Sequence, residues 1–115
     1  MSKKIKTKKE RINCAVSLAD CGDPDQWSGD FSRLPPNKVY NLRIDYPCTP
    51  TIFAIKTGKK GLSLINLMHK IILSYGKIYD NVDKYNVWGH DMDDLVIAEI
   101  EVNHKTKTIS LGVDS

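Results

Sequence analysis

A chain of 115 residues with 41% hydrophobic and 27% charged residues is long enough for one domain with a modest core, and that composition excludes wholesale disorder. No run approaches the roughly 18 apolar residues of a membrane span and no leading stretch resembles a signal peptide, so no membrane partner is expected. The three cysteines, Cys14, Cys21 and Cys48, lack CxxC spacing, which points to free thiols in a reducing intracellular compartment, cytoplasmic or, in a eukaryotic host, nuclear.

The net charge of +3 conceals an asymmetry. Within residues 1–11, Lys3, Lys4, Lys6, Lys8, Lys9 and Arg11 face a single carboxylate, Glu10, a local balance of +5 that leaves −2 for the rest. Residues 1–11 are therefore expected to be a flexible basic arm ahead of a mildly acidic domain, residues 12–115. The arm has two readings, a solubilising end or a phosphate-contacting segment, with a nuclear address as a variant of the second. No aromatic residue interleaves with its lysines, so base stacking is not indicated.

From Ile12 apolar residues alternate through Cys14, Val16 and Leu18, the period of a strand. Turn chemistry then runs from 19 to 38, an uncommonly long loop of the kind that is either functional or loosely ordered. It contains Trp27 and Phe31, which either tuck onto the core or stand out as anchors for a protein partner. Val39–Tyr46 alternates again, and the prolines of Pro47-Cys48-Thr49-Pro50 force a turn that leaves Cys48 a candidate exposed thiol. Thr51–Thr57 returns as a third strand, antiparallel to the second because the connection is short.

Between that strand and a predicted helix lies Thr57-Gly58-Lys59-Lys60-Gly61-Leu62-Ser63. It lacks the spacing of a P-loop, and a plain strand-to-helix turn with solvated lysines accounts for it. The functional reading is an anion site, since free amides at a helix start plus Lys59 and Lys60 favour one. The helix is expected from Leu62 or Ser63 to Tyr79, with Leu64, Met68, Ile71, Ile72, Tyr75, Ile78 and Tyr79 at helical spacing and Ser63 as its N-cap. Ile65, Leu67 and Leu73 widen the apolar face, which predicts a central core helix with His69 at its boundary.

Val87 to Leu95 packs His90, Asp91, Asp93 and Asp94 beside Trp88 and Gly89. Clustered carboxylates and an imidazole are what a divalent ion or a metal-dependent hydrolase uses. The stretch has neither the frame of an EF-hand nor a paired-histidine helix, and a polar corner leading into a strand accounts for each residue. Leu95–Asn103 and Thr108–Val113 then form a hairpin, with Val96, Ala98, Ile100 and Val102 expected inward and His104 in the turn.

The element order β-β-β-α-β-β predicts a single-domain α+β fold, a mainly antiparallel sheet of about five strands packed on one helix. The expected function is that of a small non-catalytic binding or accessory protein, with no cofactor. Its basic arm, with Lys59 and Lys60, would contact a polyanion, foremost nucleic acid. The alternative is a protein-binding inhibitor, immunity-type or assembly module, using the Trp27/Phe31 loop or a sheet edge. The Lys-, Asn- and Ile-rich composition suits a viral or bacterial accessory protein from a low-GC genome.

Overall fold

The computed structural model describes residues 9–18, 27–29 and 33–114. Along the chain these form β1 (Lys9–Ser17), β2 (Ser28–Gly29), β3 (Arg33–Leu34), β4 (Val39–Ile44), β5 (Thr51–Lys56) and β6 (Leu62–Ser63). Helix α1 (Leu64–Tyr79), the short α2 (Val82–Tyr85), a 3-10 turn (Met92–Asp94), β7 (Val96–Asn103) and β8 (Thr108–Asp114) follow. The main sheet has the order β2-β1-β7-β8-β4-β5, while β3 and β6 pair separately.

This is an α+β domain with one main helix, but the sheet is mixed rather than simply antiparallel. The β7–β8 hairpin inserts between β1 and β4, so that β8 meets β4 in parallel, with Asn41 opposite Thr108 and Leu42 opposite Ile109. A parallel pair needs a long connection, and β5, β6, α1 and β7 all lie between these two strands in the chain. The 19–38 loop is also less plain than expected. Leu34 is fully buried, β3 pairs with β6, and β2 pairs with β1.

One face of the sheet is apolar because alternate residues point the same way. Tyr40, Leu42 and Ile44 of β4 are buried while Val39, Asn41 and Arg43 are exposed. On β7 the expected inward set needs correcting: Ile97, Ile100 and Val102 are fully buried, whereas Val96 and Ala98 are only partly covered. The register with β8 slips between Ile97 and Glu99, and the extra residue shifts the alternation by one. Ile12 and Val16 of β1 and Ile109 of β8 complete this face.

Onto it packs α1, burying Leu67, Met68, Ile71, Tyr75 and Ile78. Ser63 caps it, its Oγ accepting from the Asn66 amide at 3.3 Å. The helix is not covered all round. Leu73, expected to widen its buried face, is 66% exposed. Tyr75 donates its phenol to the Tyr46 carbonyl at 2.7 Å, tying the helix to the turn after β4. No helix among the described residues is long and apolar enough to cross a membrane.

Candidate nucleic-acid interface

Strand direction sorts the charges. The starts of β1, β8 and β4 and the ends of β7 and β5 lie at one end of the sheet, since Lys9 is opposite Asn103, Asn103 opposite Thr108, Thr108 opposite Asn41, and Val39 opposite Lys56. That end carries Lys38, Lys56, Lys59, Lys60, Lys105 and Lys107. Arg33 joins them by donating from Nη1 to the Lys60 carbonyl at 3.0 Å. Lys107 folds back onto its turn, Nζ to the His104 carbonyl at 2.8 Å. Among the described residues no carboxylate pairs with Lys38, Lys56, Lys59, Lys60 or Lys105. The opposite end holds Asp45, Asp80, Asp83, Asp91, Asp93, Asp94 and Asp114 against the cations Lys84 and Arg43, the latter paired to Asp45 at 3.4 Å. Helix α1 starts at the basic end and finishes at the acidic one, so its dipole runs in the same sense as the side-chain charges.

The turn bearing Lys59 and Lys60 is shaped by glycines. Gly58 and Gly61 both have positive φ, 77° and 79°, and the Gly61 amide closes the turn on the Gly58 carbonyl at 3.3 Å. Both lysines stand exposed at the turn's apex.

Of the expected arm residues, Lys3, Lys4, Lys6 and Lys8 lie outside the described residues. Lys9 and Arg11 belong to β1, so the strand takes in the last residues expected for the arm. Arg11 sits on the outer face of the sheet, opposite Glu101, and donates to that carboxylate at 2.7 Å from Nη2, with Glu99 at 3.6 Å. Glu10 points to the other face, where His104 Nε2 meets its carboxylate at 2.5 Å and His104 Nδ1 meets the phenol of the buried Tyr40 at 2.6 Å. A carboxylate only accepts, so in the neutral ring Nε2 carries the proton and Nδ1 accepts from Tyr40. Burial, then the charge of Glu10, raises the Tyr40 pKa above its ordinary value and keeps the phenol a donor. This relay, which joins the base of the arm to the 104–107 turn, was not legible in the sequence.

The remaining candidates fall elsewhere. Trp27 is partly buried against the core, while Phe31 lies outside the described residues. The segment holding His90, Asp91, Asp93 and Asp94 forms a corner held by its backbone: the Trp88 amide donates to Pro47, and Tyr79 donates to the His90 carbonyl, each at 2.9 Å. His90 Nε2 faces the Tyr46 phenol at 2.9 Å, and Trp88, 49% exposed, lies edge-on to the Tyr46 ring. Among the described residues no three His, Cys, Asp or Glu side chains gather as a metal cradle.

Cys48 is fully buried rather than exposed, since the turn folds its thiol inward. Burial, aided by Asp45, raises its pKa. Burial and Glu99 push Cys14 up to about 11, and its thiol donates to the Ile97 carbonyl at 3.2 Å. A thiol of that pKa is roughly one-thousandth thiolate at pH 8, against about a quarter for a free cysteine. With Cys21 replaced by serine, iodoacetamide at pH 8 is therefore expected to leave Cys14 and Cys48 largely unmodified until urea unfolds the chain, as read by mass. The same upward shift makes the fold less stable in alkali. Cys14 favours the fold up to the unfolded thiol's range, near pH 8.5, and that contribution is lost as pH climbs through about 11.

Comparison with protein families, with curated proteins and with solved structures finds no match.

Proposed function

We propose that this protein is a non-catalytic binding module whose basic end, continued by the N-terminal lysines, contacts a polyanion, foremost nucleic acid. The observation that carries the reading is the one-ended gathering of Arg33, Lys38, Lys56, Lys59, Lys60 and Lys105, at the same end from which β1 starts. Lys3, Lys4, Lys6 and Lys8 precede β1 in the sequence and add four cations to the chain just ahead of it. The α1 amino terminus adds partial positive charge there, and the carboxylates at the far end favour one orientation on an anionic surface. These contacts would go to phosphates and not to base edges, which makes binding sequence-blind and strongly salt-dependent.

The test is fluorescence anisotropy of labelled single-stranded and duplex oligonucleotides over a salt series. Deleting residues 1–8 leaves β1 and the Glu10–His104 bond intact. Both this deletion and the pair Lys59→Glu/Lys60→Glu are expected to weaken binding, the pair lowering the log–log salt slope by about 2. Reversing Asp91 and Asp93 to lysine at the far end should not weaken it. Equal affinity of the deleted and intact chains at moderate salt would refute the proposal.

A further inference from the structure

A second surface stands apart from the basic end and does not depend on its reading. Strand β5 ends the sheet, and among the described residues no strand pairs with its outer side. Thr57 donates to the Lys38 carbonyl at 3.0 Å, and Asn41 donates away from β5, to Lys107. In an antiparallel pair the bonded positions alternate, so Thr51, Phe53 and Ile55 turn their amides toward β4 while Ile52, Ala54 and Lys56 turn theirs outward. Along this edge runs a groove of about 460 Å³ between β5 and α1. Phe53, Ile55 and the exposed Leu73 give it an apolar lining; Lys70 and Lys77 supply cations, and Asp80 lies at its end.

We propose that this groove takes an extended acidic peptide segment of a protein partner, which adds to the sheet as a strand beside β5. The six residues of β5 offer roughly 20 Å of edge at ~3.3 Å per residue, enough for a peptide of similar length. Main-chain bonds to Ile52, Ala54 and Lys56 would hold its backbone. Alternate side chains would enter the groove, apolar ones against Phe53 and Leu73 and carboxylates against Lys70 and Lys77. The edge carries few of the devices that blunt such strands: of its outward residues only Lys56 is charged, and Ile52 is 56% exposed. A DNA backbone has no donor for the outward carbonyls and RNA offers only its 2′-hydroxyls, while the phosphates of either gain nothing from the apolar lining. A second copy paired edge to edge would bring the Lys70 and Lys77 pairs of both grooves toward each other.

The test selects random decapeptides displayed on phage against the full chain, then measures synthetic fluorescent copies by anisotropy. Enrichment of sequences alternating apolar residues with Asp or Glu is expected. Lys70→Glu/Lys77→Glu should weaken them about tenfold, as loss and reversal of two exposed ion pairs allows. Ala54→Pro removes an outward amide without breaking the β4 ladder and should weaken them comparably. Methylating every second backbone nitrogen of the peptide should abolish binding to the unaltered chain, a readout that survives if Ala54→Pro fails to fold. Failure to enrich acidic peptides would overturn the proposal, as would full binding of the methylated peptide or its displacement by a DNA oligonucleotide. A dimer seen by sedimentation and dissolved by Ala54→Pro would assign the edge to a second copy instead.

Discussion

Replacing Gly61 with alanine is expected to cost about 3 kcal/mol, where the same change at Gly58 costs about 1. Both glycines hold positive φ, so both substitutions force an L-residue into the left-handed region. They differ in what the new methyl group meets. At Gly58 nothing lies within 4 Å, whereas at Gly61 an added Cβ would stand 2.3 Å from the Leu34 carbonyl oxygen. That oxygen is main chain and cannot swing aside. Leu62 pairs with Leu34 in the two-residue β3–β6 ladder, and Leu34 is fully buried, so the clash must shift either the ladder or the core. For a domain of this size the Gly61 variant should melt roughly 10–15 °C lower. Thermal scans of the two variants side by side decide the matter, and equal losses would show that φ strain alone sets the cost. The effect also reaches the proposed interface, because Gly61 fixes the turn that presents Lys59 and Lys60 and positions the Lys60 carbonyl for Arg33.

What could be read from the chain was what short-range pattern encodes. Alternation placed β4 and β5, the three-four spacing placed α1, and Ser63 announced its cap. Lys59 and Lys60 stood out because a glycine-flanked turn before a helix is a local signal. The pairing of β8 with β4 was not legible, because partners so far apart in the chain leave no mark on either strand alone. The charge polarity of the domain was hidden for the same reason. Lys38, Lys56 and Lys105 are scattered in sequence and come together only through strand direction. Arg11 shows the opposite error: its place in a basic run suggested an arm, yet the register sets it across from Glu101. Leu73 looked like core by type and spacing, but the edge strand beside α1 leaves it uncovered.

The Tyr40–His104–Glu10 relay is the sharpest case of a feature made by register, and its removal should be costly. His104→Leu keeps an apolar side chain of similar reach but leaves the Tyr40 phenol, on a fully buried residue, without its acceptor at 2.6 Å. An unsatisfied buried donor costs ~1–3 kcal/mol, and the loss of the edge-to-face ring contact at 5.7 Å adds to it. A total of about 2–3 kcal/mol is expected, read as a fall in the urea midpoint at constant slope. The double variant is the more stringent test. With Tyr40→Phe already in place no donor is stranded, so His104→Leu should then cost markedly less, a coupling that a double-mutant cycle measures directly. Additive losses would mean that the phenol finds another partner and the relay contributes nothing beyond packing. The Glu10 side gives an independent readout. His104 Nε2 holds Glu10 near the start of β1, so its loss should speed hydrogen exchange of the Ile12 amide while leaving β4–β5 protected. If the relay acts as this anchor, Glu10→Gln, which keeps an acceptor oxygen for Nε2–H, should restore most of that protection and Glu10→Ala should not.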